Sequence, residues 1–123
     1  MSDLIRMKRS ECAVLPLVLK GKWFAMISSG VKREEYRDAT DYWRRRLFNW
    51  DEASATDRAP VVEFRHGYAR DAERVAFWCM GLQTAGGMRA FAYTEGASHL
   101  EWGEPAAPHF VIRLGGRVEL EAE

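Results

Sequence analysis

The segment Gly30-Val31-Lys32-Arg33-Glu34-Glu35-Tyr36-Arg37 brings a lysine, a carboxylate and an arginine close together in the chain. Such a trio supports two kinds of chemistry. Lys32 and Arg37 can hold a phosphate or a carbonyl while Glu35 orients them or accepts a base N–H. Alternatively, a desolvated Lys32 acts as a base or nucleophile with Glu35 as its partner. The plainer alternative is a solvated ladder of ion pairs on an exposed strand. In an extended strand Glu35 and Arg37 share a face and Lys32 points to the other. A common site therefore requires a turn or bulge between Lys32 and Glu35, and Gly30 suits such a corner. Tyr36, Tyr42, Trp43 and Tyr68 could stack on splayed bases, although residues of this kind more often build a core.

The elements that position this trio follow from hydrophobic periodicity. Residues 1–12 are polar and are expected to be loose. Ala13–Lys20 is a short Val/Leu-rich strand whose Pro16 favours an edge or a bend. Trp23, Phe24 and Ile27 mark the buried face of a helix that Gly30 closes. Val31–Arg37 is extended. Asp38 or Thr40 caps a second helix over Thr40–Trp50, with Trp43, Leu47 and Trp50 as its apolar stripe. Arg44 and Arg45 lie off that stripe and Arg46 flanks it, so this run is either a solvated helix face or a ridge for phosphates. Beyond the polar loop 51–60 the pattern is β: Val62 and Phe64 alternate with Glu63 and Arg65, and Arg74–Leu82 follows. Gly86-Gly87 leads into Met88–Thr94, residues 96–108 form a loop containing Trp102, and Gly115-Gly116 turns His109–Leu114 into Val118–Leu120. Closely spaced strands with two early helices predict one α+β domain, a small closed or half-closed β-barrel with helices on its rim.

Several of these pieces carry a resemblance. Gly30, Lys32, Glu35 and Arg37 fit the G-x-K-x-x-E-x-R signature of the ASCH family, after a strand ending in Lys20 and a helix ending in Ser-Gly. Tyr42-Trp43 with Arg46-Leu47, Val62–Arg65 with Gly67-Tyr68, and Glu101-Trp102-Gly103 before Phe110–Gly115 resemble a short bacterial and phage-type subgroup. The resemblance covers roughly residues 13–115. It implies a PUA-like barrel of five to six mostly antiparallel strands with two or three short helices. It also implies a cleft that contacts RNA or nucleotides, with Lys20, Lys32, Glu35, Tyr36, Arg37, Arg65 and Tyr68 as candidate binding residues. Some small family members hydrolyse acetylated cytidine nucleosides with the motif lysine, a threonine at the motif acid position and a carboxylate from a later strand. This chain departs from that set, because Glu35 stands where those members have threonine. Glu63 is a conceivable later carboxylate.

Composition narrows the function further. The chain has 123 residues and zero formal net charge, which excludes a general polycation. Residues 1–50 hold eleven of the eighteen basic residues and six of the eighteen acidic ones, leaving seven and twelve for residues 51–123. The first half is thus basic. Fourteen of the cations are arginine, whose planar fork holds phosphate and stacks on rings. Cys12 and Cys79 give neither a disulfide framework nor a C-x-x-C zinc site, and His66, His99 and His109 lack metal-ligand spacing. No metal or cofactor is expected. No phosphate loop of ATPase type and no Ser-His-Asp set is present. No apolar stretch is long enough to span a bilayer, so a cytoplasmic location is expected. Three readings stand. The first is an RNA- or nucleotide-binding module, and the second a hydrolase of RNA or a modified nucleoside with Lys32 and Glu35 as catalytic residues. The third is a protein-binding or inhibitory module.

Overall fold

Alternating apolar residues form the strands and two amphipathic stretches form the helices of the computed structural model, which describes residues 4–54, 57–85 and 109–122. In chain order the elements are β1 (Ile5–Lys8), β2 (Cys12–Leu19), α1 (Gly21–Ser28), β3 (Glu34–Asp38), α2 (Asp41–Ser54), β4 (Ala59–His66), β5 (Arg74–Ala85) and β6 (His109–Glu121). A 3-10 turn over Arg9–Glu11 joins β1 to β2. The strands make one mixed sheet in the order β1-β6-β5-β4-β2, with β3 also paired to β6. The pairs β3–β6, β4–β5 and β5–β6 are antiparallel, whereas β1–β6 and β2–β4 are parallel. The α+β expectation with early helices holds. The pairing path is open, however, since no ladder among the described residues joins β2 to β1 or β3.

The helices cover one face of the sheet, and the apolar residues of β2 and β4 divide between that face and a smaller cluster on the other. On one face, Leu15 and Leu17 of β2, Phe64 of β4 and Phe110 and Ile112 of β6 pack against Phe24 and Ile27 of α1 and Leu47 and Trp50 of α2. The indole of Trp50 donates to the Ala13 carbonyl at 2.8 Å, fastening α2 to β2 while satisfying a buried N–H. The opposite face holds a smaller cluster of Cys12, Val61, Ala76 and Val118, with Ile5 and Met7 of β1 packed on it.

Four differences from the sequence expectations have physical causes. Residues 5–8, expected to be loose, form β1. Ile5 and Met7 alternate with Arg6 and Lys8, and the parallel partner Val118–Glu121 lies too far along the chain for local pattern to reveal. Gly115-Gly116 is no turn, because β6 runs unbroken through it. Here the β5–β6 register shifts twice: Phe77 to Cys79 spans Arg117 to Leu114, then Cys79 to Gly81 spans Leu114 to Arg113. A Cβ on Gly115 would stand 2.7 Å from Met80 Cγ, so any larger residue at the bulged crossing would have to displace the Met80 side chain. Trp23 is 39% exposed rather than buried with Phe24 and Ile27. Finally, α2 continues past Trp50 to Ser54. The expected features at Gly86-Gly87, Met88–Thr94 and 96–108, including Trp102 and His99, lie outside the described residues.

Candidate nucleotide-binding site

The site begins where α1 ends. Gly30 adopts a φ of +82°, a conformation that glycine reaches without strain, and its N–H donates to the Ile27 carbonyl at 3.0 Å. The chain then folds back, with the Lys32 N–H donating to the Met26 carbonyl at 2.9 Å. The Leu114 N–H donates to the Arg33 carbonyl at 2.9 Å, docking this corner on β6 just before β3 begins. Lys32 therefore precedes the strand and escapes its alternation. Glu35 and Arg37, paired with Ile112 and Phe110, point to the helix-covered face.

Glu35 is the hub. One of its oxygens accepts from the Lys32 amine at 3.3 Å and from the Tyr36 N–H at 3.1 Å. The other accepts from Arg37 Nη2 at 2.7 Å. Lys32 is only 4% exposed, and among the described residues its amine faces one carboxylate oxygen and two aromatic rings, Tyr36 at 4.9 Å and Trp23 at 5.4 Å. A buried ammonium needs such partners, because both the carboxylate and the ring quadrupoles offset lost hydration. The guanidinium of Arg37 lies 5.0 Å from the Trp43 ring, and that of Arg46 lies 5.0 Å from the same ring. Lys22 covers Trp23 at 4.9 Å, and Arg46 donates to the Tyr42 hydroxyl at 3.3 Å. A row of alternating cations and rings thus crosses from α1 over β3 to α2. The Arg44–Arg46 run divides: Arg44 pairs with Asp41 at 3.0 Å, Arg45 is exposed, and Arg46 joins the row.

Three of the expected residues converge as the spacing required, and Tyr36 stands beside them. The Tyr36 hydroxyl donates to Glu34 at 2.8 Å and its ring meets His109 edge-on at 5.6 Å. Lys20 is exposed at the N-cap of α1, within the same rim as Trp23, whose N–H donates to the Lys20 carbonyl. Tyr68 is 79% exposed in the loop after β4, which the Gly67 N–H ties to Leu19. Arg65 is engaged with the Ala69 carbonyl at 2.7 Å, bracing that loop. The trio's contacts include neither Arg65 nor Tyr68. Glu63 lies on the opposite face of the sheet, level with Ala76, and pairs with Arg9. It is therefore no partner for Lys32. From the sequence, Trp43 fitted either a core stripe or a stacking platform and Arg46 either a solvated helix face or a phosphate ridge, whereas Trp23 fitted a core stripe and Lys22 carried no site reading. The Lys22-Trp23 neighbourhood and the helical spacing of Trp43 and Arg46 were the available signals.

The arrangement suits binding better than bond cleavage. Both oxygens of Glu35 are occupied by cations and an amide, which makes it an orienting group rather than a free base. A ligand base would have to share or displace the cations that already lie over the Trp23 and Trp43 rings. The Nε of Arg37 is buried without a partner among the described residues. No group of three or more potential metal ligands gathers among the described residues. No helix among them is long and apolar enough to cross a membrane. Comparison with known proteins adds no relative: no family model matches the chain, and neither the curated proteins nor the solved structures contain a significant match.

Proposed function

We propose that this chain is an ASCH-type, PUA-like protein that binds single-stranded RNA or a nucleotide in the hollow around Lys32, Glu35 and Arg37. The observation that supports the reading is the row Lys22, Trp23, Lys32, Arg37, Trp43 and Arg46, in which two cations lie within 5.4 Å of each tryptophan ring. Bases stack on rings irrespective of sequence, and neighbouring cations follow the phosphates, which is how single strands are generally held. A cytoplasmic setting accords with two free cysteines. Fluorescence anisotropy with labelled single-stranded RNA tests the proposal. Affinity should fall as salt rises, with a logarithmic slope of roughly −0.7 per phosphate neutralised. Flat titrations at low salt, for RNA and for free nucleotides alike, would remove the reading. Turnover of RNA or acetylated cytidine that disappears in Lys32→Ala would replace it with the hydrolase reading.

A further inference from the structure

On the other side of the Lys32 corner lies a concavity of about 330 Å³ between the loop after α1 and the glycine crossing of β6. Its cationic lining consists of Lys32, Arg33 and Arg117, and no carboxylate residue lines it among the described residues. Arg33 and Arg117 are exposed, and neither takes part in an ion pair among the described residues. Phe77 and Leu114 supply apolar surface. Gly115 and Gly116 also border the space, and the register leaves them without a Cα partner in β1, β3 or β5.

We infer that this concavity binds a phosphate group attached to the nucleotide ligand, so that the protein prefers a phosphorylated nucleotide to the free nucleoside. The inference rests on the nucleotide reading above and adds the part of the ligand that reading leaves open. Two exposed guanidiniums with no lining acid among the described residues favour an anion, and their forks match phosphate geometry. At ~30 Å³ per water the space holds roughly ten waters, more than a lone phosphate displaces, and its apolar patch accommodates the attached sugar or base. Lys32 borders both this space and the cation–ring row, which places the phosphate next to the stacked base.

Isothermal titration calorimetry with adenosine, adenosine monophosphate and inorganic phosphate tests this, alongside anisotropy with RNA carrying or lacking a terminal phosphate. The monophosphate should bind about 10- to 100-fold more tightly than adenosine, the range for charge-assisted hydrogen bonds. The exposed double substitution Arg33→Ala with Arg117→Ala should abolish that preference while leaving the thermal midpoint unchanged. Equal affinity for adenosine and its monophosphate, or a preference that survives the double substitution, overturns the inference but spares base binding by the row. Phosphate binding that the double substitution abolishes, without any affinity for RNA or adenosine, supports the pocket and overturns the nucleotide reading. With RNA, tighter binding of the phosphorylated end supports a monoester as the occupant. Equal binding that the double substitution weakens supports an internal phosphodiester.

Discussion

The two faces of the sheet each bury a glutamate against an arginine, yet the two pairs are built differently. On the helix-covered face, Glu35 bridges Lys32 and Arg37, all drawn from one short segment, and each cation also rests on an aromatic ring. On the opposite face, Glu63 meets Arg9 alone, whose side chain is 43% exposed, and a 3-10 turn distant in sequence supplies it. An arginine that keeps water can serve as a local clasp between segments. A lysine that has lost nearly all of its water, held by one acid and two rings, marks a place organised around charge. The comparison separates a structural ion pair from a candidate site even though both acids are equally hidden.

The largest effect should come from the hub. Glu35→Gln leaves the Lys32 ammonium buried without its counter-charge and should cost about 3–5 kcal/mol of stability in urea unfolding. A loss no greater than that of Glu63→Gln would erase the distinction between the faces. Next, Trp43→Ala should weaken single-stranded RNA binding by about 5- to 150-fold, the range for one base–aromatic stack, with anisotropy as the readout. The cysteines sharpen the same contrast through pH. Burial, only partly opposed by hydrogen bonding from the Gly81 backbone, pushes the Cys79 thiol up to about 12 from an ordinary 9.0. The folded chain keeps a proton that the unfolded chain releases, so stability present below pH 9.0 should decline as pH rises toward 12. Urea midpoints across that range check this, and Cys79→Ala should flatten the decline. On the other face, burial and Glu11 raise the Cys12 thiol while Arg9 opposes them. The smallest effect on recognition belongs to Arg9→Ala, expected to leave RNA affinity unchanged while costing about 1–3 kcal/mol in urea unfolding, because it leaves the buried Glu63 carboxylate without its partner.

Where neighbouring residues decide the outcome, the sequence was a good guide. The period-two runs of Val62–Phe64 and Phe110–Leu114, the stripe Leu47–Trp50 and the Gly30 corner all appear as read. The convergence of Lys32 with Glu35 and Arg37 was legible because Gly30 made a turn affordable between helix and strand. What escaped depends on partners remote in the chain. The parallel docking of β1 on β6 turned a polar leader into a strand. The bulged crossing with Met80 turned an apparent Gly-Gly hairpin turn into the interior of a single strand. The roles of Trp23 and Trp43 were hidden for another reason. A tryptophan at the margin of a helix stripe looks the same in sequence whether its outer face meets a cation or a core.

The outermost strand carries a further consequence. Pro16 sits exposed in β2, where it has no N–H to offer, and its carbonyl accepts from Arg46. At that point the border of the sheet lacks one hydrogen-bonding group and has the other already engaged, so a ladder extended by an incoming peptide is interrupted in the middle of the strand. The same guanidinium that closes the border lies over Trp43. Protection against strand-by-strand self-association and the shape of the ligand row thus hang on a single arginine, and a change there would be felt in solubility as well as in recognition.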